Sequence, residues 1–199
     1  MADTGESPDL LACDETLAES ARSGSGAAFA SLVARHGDAV YVIARNMCAA
    51  GRDVEEVLQQ AFLLAFCDLE SFPAGARFTT WLYGIAMNAA LAHGQRDRRG
   101  RSISLEEFLP ACGRAGDLAQ TRGRWPELDG ISPERPELTG LLREALEAID
   151  DRTRASFVLL DLVQAPVEEA AAVLQTSPRA VQQDAHRARL MLRGFIDGL

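Results

Sequence analysis

The chain has 199 residues, 47% of them apolar and 6% aromatic, with a formal charge of −9. That length holds one domain or two small ones, and the apolar share is too high for a wholly disordered protein. No apolar run approaches a membrane span, and the cysteines and histidines lack metal-ligand spacing, so neither membrane insertion nor a bound metal or other cofactor is expected.

The chain opens acidic. Residues 1–20 contain Asp3, Glu6, Asp9, Asp14, Glu15 and Glu19 but no base, and a Ser/Gly cluster follows at 23–26. This pattern predicts an N-terminal tail over 1–26, loosely attached or forming a short helix. From 27 to 99 the periodicity is helical. Phe29, Leu32, Val33, Val40, Val42 and Ile43 mark one or two helices between Ala28 and Asn46. Gly51-Arg52-Asp53 breaks the run, and Asp53 is suited to cap the next helix. In DVEEVLQQAFLLAF, Val54, Val57, Leu58, Ala61, Phe62, Ala65 and Phe66 recur at helical spacing. Asp53, Glu56, Gln59 and Gln60 are left on its polar face. Pro73 and Gly75 punctuate a loop over 71–77, and another helix starts near Thr79. Phe78, Leu82, Ile85, Ala86 and Ala89 are placed to face a core, with Trp81, Gly84 and Asn88 on a different face. Arg96, Arg98 and Arg99 belong to a basic run, RDRRGR.

Periodicity fades over 100–137, which reads as a linker carrying apolar islands at Leu105, Phe108, Leu109 and Trp125. A second helical unit is predicted over 138–199. Its end, PVEEAAAVLQTSPRAVQQDAHRARLMLR, reads as two helices joined by a tight turn. The first runs from about Pro166 to Gln175 and the turn is Thr176-Ser177. Ser177 then serves as N-cap and Pro178 as first helical residue of the second. Val181, Ala185, Ala188 and Leu192 would face inward, leaving Arg179, Gln182, Gln183, His186 and Arg187 outside. That is the pattern of a helix-turn-helix, whose second helix reads base edges in the major groove. Composition rich in Ala with few β-branched runs favours helix throughout, so the expected fold class is all-α: two small helical domains joined by a flexible linker.

The acidity weighs against a solitary DNA binder, because phosphate neutralisation by basic residues dominates DNA affinity. All basic residues are Arg and the chain has no Lys. An acidic chain that touches DNA needs a basic partner, which points to a subunit. The scattered cysteines, without a signal peptide, suggest reduced thiols and a cytoplasmic location.

Three stretches together resemble bacterial sigma factors of the extracytoplasmic-function (ECF) group, a branch of the sigma-70 family. DVEEVLQQAFLLAF resembles the family's acidic helix, written D-A-E-D-L-V-Q-E-V-F, with Asp53, Glu56, Gln59 and Phe62 matching. FTTWLYGIAMNAAL resembles W-L-x-x-I-A-x-N, with Trp81, Leu82, Ile85, Ala86 and Asn88 matching. LREALEAIDDRTRASFVLLDL and the segment ending His186-Arg187-Ala188-Arg189 resemble the fourth conserved region. Their order and spacing, over about residues 27–99 and 139–195, carry the signal.

The resemblance implies a transcription initiation factor that binds core RNA polymerase and promoter DNA and is held inactive by an anti-sigma factor. Asp53, Glu56, Gln59 and Gln60 would dock on the polymerase clamp. Phe72, Phe78, Trp81 and Asn88, with Arg96, Arg98 and Arg99 along the phosphates, would engage the melting downstream element. There, unstacked bases meet aromatic faces and polar edges. Ser177, Arg179, Gln182, Gln183, His186 and Arg187 would read the upstream element, where Gln pairs with adenine and Arg with guanine. The chain departs from the family at Gln182, Asp184, Gly84 and Met87, where basic residues are common. Asp184 on a recognition helix would face phosphate repulsion. These departures leave open a sigma-like decoy that binds a regulator or polymerase without initiating. A stand-alone repressor leaves the first two stretches unexplained. No nucleophile elbow, P-loop or metal cluster is present, so no enzyme and no small-molecule substrate are expected. Glu168-Glu169 and Asp150-Asp151 are read as surface helix positions.

Overall fold

Helix supplies the regular structure of the described residues. The computed structural model describes residues 12–48, 54–99 and 145–197, without the side chains of 94–99 and 194–197. The linker expected over 100–137 and the capping residue Asp53 lie outside them.

The first helix, α1, spans Asp14–Arg22, with Asp14 and Glu15 in its first turn and Arg22 in its last, the charge order its dipole favours. It is not a loose tail. Leu17, Ala18 and Ala21 are buried. Arg35 Nη1 donates to the Ala12 carbonyl at 2.7 Å and to Asp14 Oδ1 at 2.9 Å, and His36 Nε2 lies 2.9 Å from Asp14 Oδ2. An apolar stripe of three small or medium residues, with Ala21 three and four positions after Ala18 and Leu17, was hidden by the acids around it.

Residues Gly26–Met47 form a single helix, α2, capped by Ser25, whose side chain accepts the Ala28 N–H at 3.3 Å. Helix α3 spans Val54–Cys67. A 3₁₀ turn at Leu69–Ser71 and a loop with Gly75 at φ 77° lead into α4, Phe78–Arg99. Leu32, Val40, Ile43, Met47, Val57, Phe78 and Leu82 are the large residues at the centre of this bundle. Cys13 is a free thiol.

The C-terminal unit begins at a small apolar cluster of Ala145, Leu146, Ile149, Ala188 and Leu192. Helix α5 spans Asp151–Phe157. Asp150 is its N-cap and accepts the Thr153 N–H at 3.0 Å, and it is exposed, as its reading as a surface position expected. The helix widens to a π-turn over Val158–Leu162, closed by Val163 N–H to the Val158 carbonyl at 2.9 Å. Gln164, at φ 59°, then redirects the chain into α6, Val167–Val173. At the end of α6 the Gln175 N–H reaches the Ala172 carbonyl and the Thr176 N–H reaches that of Ala171. Gln175 sits at φ 50°. This is the paired-bond stop with a left-handed residue at which helices commonly end. It turns the chain into α7, Pro178–Asp197.

The two units share one interior. Ala155, Val158, Leu159, Ala170, Ala171 and Val181 join the same buried cluster as Leu32, Val40 and Leu82. Helix α6 lies on α4, and α5 with its π-turn lies on α2. Glu169 falls in this contact and is buried, which corrects the expectation of a surface acid.

Candidate nucleic-acid interface

Helix α7 presents one exposed polar face. The Ser177 hydroxyl accepts the Ala180 N–H at 3.2 Å, fixing the start of the helix. Val181, Ala185, Ala188 and Leu192 are buried, so Arg179, Gln182, Gln183, His186 and Arg187 stand on the solvent side. This face follows from helical periodicity, since each buried residue lies three or four positions from the next.

Asp184 does not belong to that face. Its Oδ2 accepts from Arg152 Nε at 3.0 Å, and Arg152 Nη2 donates to Thr176 Oγ1 at 3.0 Å. Arg152 thus ties the turn and the reading helix to α5. The expected repulsion between Asp184 and phosphate is corrected: the carboxylate is turned to a guanidinium and its side chain is 13% exposed. A second clamp lies further along, where Arg189 Nε and Nη2 donate to Asp161 on the π-turn at 2.9 and 3.0 Å. Sequence reasoning missed both clamps, because their partners lie 32 and 28 residues apart. Asp150 adds a local effect. Its carboxyl is held below the ordinary range by the Thr153 amide, with a contribution from the Arg187 charge.

Around α4 the aromatic residues gather, but not as a bare platform. The Phe72 and Phe78 rings are 5.8 Å apart, and Trp81 lies 5.4 Å from the first and 5.7 Å from the second. Phe72 and Phe78 are buried, so their expected part as stacking surfaces is corrected: they form the floor under Trp81. Trp81 is part-buried and Asn88 exposed. Asn88 borders a groove of about 340 Å³ between α3 and α4, with Gln60, Leu64, Ile85 and Ala92. Arg96, Arg98 and Arg99 fall on the last turns of α4, and their side chains lie outside the described residues.

On α3, Glu56 and Gln59 are exposed. Glu56 Oε1 lies 3.3 Å from His93 Nε2 on α4. Gln60 is 7% exposed and turned into the groove, which corrects its place on the polar face. One position past Gln59 rotates the side chain by about 100°, enough to carry it from solvent to the α4 side. Tyr83, on α4, has its hydroxyl pushed up to about 12, first by burial and then by the Glu169 and Asp14 carboxylates. Among the described residues no helix is long and apolar enough to cross a membrane, and no group of three His, Cys, Asp or Glu side chains is placed to hold a metal.

Comparison with known proteins bears on both units. Residues 32–100 match the family described as Sigma-70 region 2, and residues 139–192 match Sigma-70, region 4. The chain is 34% identical over 186 residues to the RNA polymerase sigma factor CnrH of Cupriavidus metallidurans, covering 92% of this chain and 94% of that one. It is 30% identical over 181 residues to the ECF RNA polymerase sigma-E factor of Escherichia coli, covering 88% and 90%. The solved structure of CnrH in complex with the cytosolic domain of CnrY superposes with a TM-score of 0.64 at 31% identity, covering 93% of this chain and 97% of that one.

Proposed function

The chain belongs to the sigma-70 family of RNA polymerase sigma factors, in its ECF group, and from that membership we propose a residue-level division of labour. The chain is a transcription initiation factor that binds core RNA polymerase and directs it to specific promoters. Glu56 and Gln59, with Asp53, form the polymerase-docking face of α3. Complementary polar contact on a rigid helix sets orientation and encounter rate. Trp81 and Asn88 meet the downstream element as it opens, and the arginines at 96, 98 and 99 follow its phosphates. On α7, Arg179, Gln182, Gln183, His186 and Arg187 read the upstream element, with Ser177 placing the helix start. The initiation unit proper comprises 27–99 and 138–199, joined through 100–137. The chain works in the cytoplasm, with no catalysis of its own.

The single observation that carries this reading is the continuous exposed polar face of α7, set by a capped start and a buried opposite side. The decoy alternative drew on the missing basic residues at Gln182, Asp184, Gly84 and Met87; the ion pair with Arg152 answers it at Asp184 only. Control by an anti-sigma factor is part of the proposal, supported by the similarity to CnrH, whose structure holds the cytosolic domain of CnrY.

The test is transcription with purified chain and core polymerase on a library of promoter fragments. Defined start sites that vanish without the chain are the expected result. Polymerase binding without transcripts would favour the decoy, and failure to bind polymerase, beside a working control sigma factor, would overturn the initiation-factor reading.

A further inference from the structure

Two arginines stand on the exposed face of α7, Arg179 and Arg187, separated by about 12 Å along the helix axis. Between them lie the uncharged Gln182 and Gln183 and the acidic Asp184. A third guanidinium reaches this stretch from another helix. Arg152, in the first turn of α5, donates through Nε to Asp184 Oδ2 and through Nη2 to Thr176 Oγ1, each at 3.0 Å. These contacts fix the group without hiding it: its side chain is 59% exposed and that of Asp184 13%. At this edge of α7 the charge that meets solvent is therefore positive, although the helix residue itself is an acid. Nη1 makes no hydrogen bond among the described residues. The neighbouring acids are engaged elsewhere. Asp151 pairs with Arg154 Nη2 at 2.5 Å, and Asp150 accepts the Thr153 amide and lies within the field of Arg187.

We infer that Arg152 is a phosphate-binding residue: while Nε covers Asp184 and Nη2 holds Thr176, Nη1 is offered to a backbone phosphate on the flank of the upstream element. The inference rests on the initiation-factor reading above, which sets α7 in the major groove. That groove is about 12 Å wide, and a helix with its side chains is about 10–12 Å across. A reading helix thus fills it, and a charge on the helix flank meets phosphates rather than base edges. Asp184 lies one turn before Arg187, so the guanidinium covering it sits at the edge of the reading face. Thr176 directly precedes the cap Ser177, which brings the same guanidinium to the level of the helix start, where reading helices contact DNA. Two of its three nitrogens are held before DNA arrives, which lowers the ordering cost of the third contact. Arg152 therefore supplies from α5 a positive charge that position 184 of α7 lacks.

The test uses polymerase reconstituted with the full chain as parent, Arg152→Ala or Arg152→Gln, the last keeping a polar side chain without the charge. The probes are duplexes carrying the upstream element, in which one phosphate at a time is replaced by an uncharged methylphosphonate. Among the replacements that weaken the parent, one should cost about fivefold, the worth of a single charge pair in water, and leave both variants indifferent. Both variants should bind the unmodified duplex about fivefold more weakly than the parent. Their slope of log affinity against log salt should be shallower by about 0.9. A clamp without a phosphate contact gives a different pattern: weaker binding to every duplex alike, with the parent's phosphate profile and salt slope. That pattern, or variants that bind every duplex as the parent does, overturns the inference while leaving the initiation-factor reading in place. If Arg152→Ala fails to fold, as its urea midpoint reports, Arg152→Gln decides. If the parent polymerase binds no upstream element, the initiation-factor reading fails and the phosphate contact falls with it.

Discussion

Ser177 separates the folding of the reading helix from its contact with DNA. Its hydroxyl accepts the Ala180 N–H at 3.2 Å and faces solvent at the start of α7. Ser177→Ala removes the cap and leaves one more unpaired amide in the first turn, at a cost of about 1 kcal/mol in stability. Ser177→Asp keeps the cap, because Asp and Ser cap about equally well, and adds a negative charge where the helix dipole welcomes it. Its stability should therefore stay within about 0.5 kcal/mol of the parent. On DNA the same charge lies where the helix start approaches the phosphate backbone. One charge pair at about 4 Å in water is worth about 1 kcal/mol, or roughly a fivefold loss of affinity. The assay pairs urea denaturation of the chain with binding of the reconstituted polymerase to a labelled upstream element. Ser177→Asp is expected to denature with the parent but bind about fivefold more weakly, the gap narrowing as salt rises. Ser177→Asp binding as the parent does at low salt would refute the placement of this helix start against DNA.

Three other substitutions probe the remaining elements. Gln60→Leu should leave polymerase affinity unchanged, because Gln60 lines the α3–α4 groove, whereas Glu56→Arg should weaken it at least fivefold by reversing an exposed charge; equal effects in a polymerase-binding titration would contradict the assignment. Leu159→Ala removes a side chain with 0% exposure from the shared interior and should cost about 2–5 kcal/mol. In a Trp125→Phe background, Trp81 emission should report that loss across the shared interior, and an unmoved Trp81 transition would mean separate cores. Asp150 has a folded pKa below its ordinary value of 3.8, so its stabilisation is present above that value and lost as pH falls through the folded one. Asp150→Asn keeps a capping side chain but cannot titrate, and it should flatten the acid limb of stability measured by urea midpoints from about pH 6 to about pH 3; an unchanged limb would refute the role.

What could be read from the residues alone tracks how local the cause was. The helix-turn-helix was legible because Ser177, Pro178 and the Val181–Leu192 spacing act within a few residues of each other. A short helix was among the expectations for α1, but its packing was obscured, because six acids in the first 20 residues outweigh a three-residue apolar stripe to the eye, while burial responds to the stripe. Gln60 was misplaced because a polar residue at the edge of a helical face is assigned by its chemistry until the neighbouring helix is known. Glu169 and Asp184 were read as exposed acids for the same reason. Their partners, Thr79 and Arg152, lie 90 and 32 residues away, and no periodicity within one helix announces a guanidinium or hydroxyl from another. The aromatic trio was anticipated as a group, but only packing decides which ring forms the floor and which one stays reachable.

The most direct measurement is a footprint of the reconstituted polymerase on a promoter recovered with this chain, combined with chemical probing of unpaired thymines. Two protected elements at a fixed spacing are expected, with unpaired thymines only at the downstream one and loss of upstream protection in Arg187→Ala. A single protected element, or protection of both without any unpaired base, would contradict a factor that reads with α7 and melts with α4.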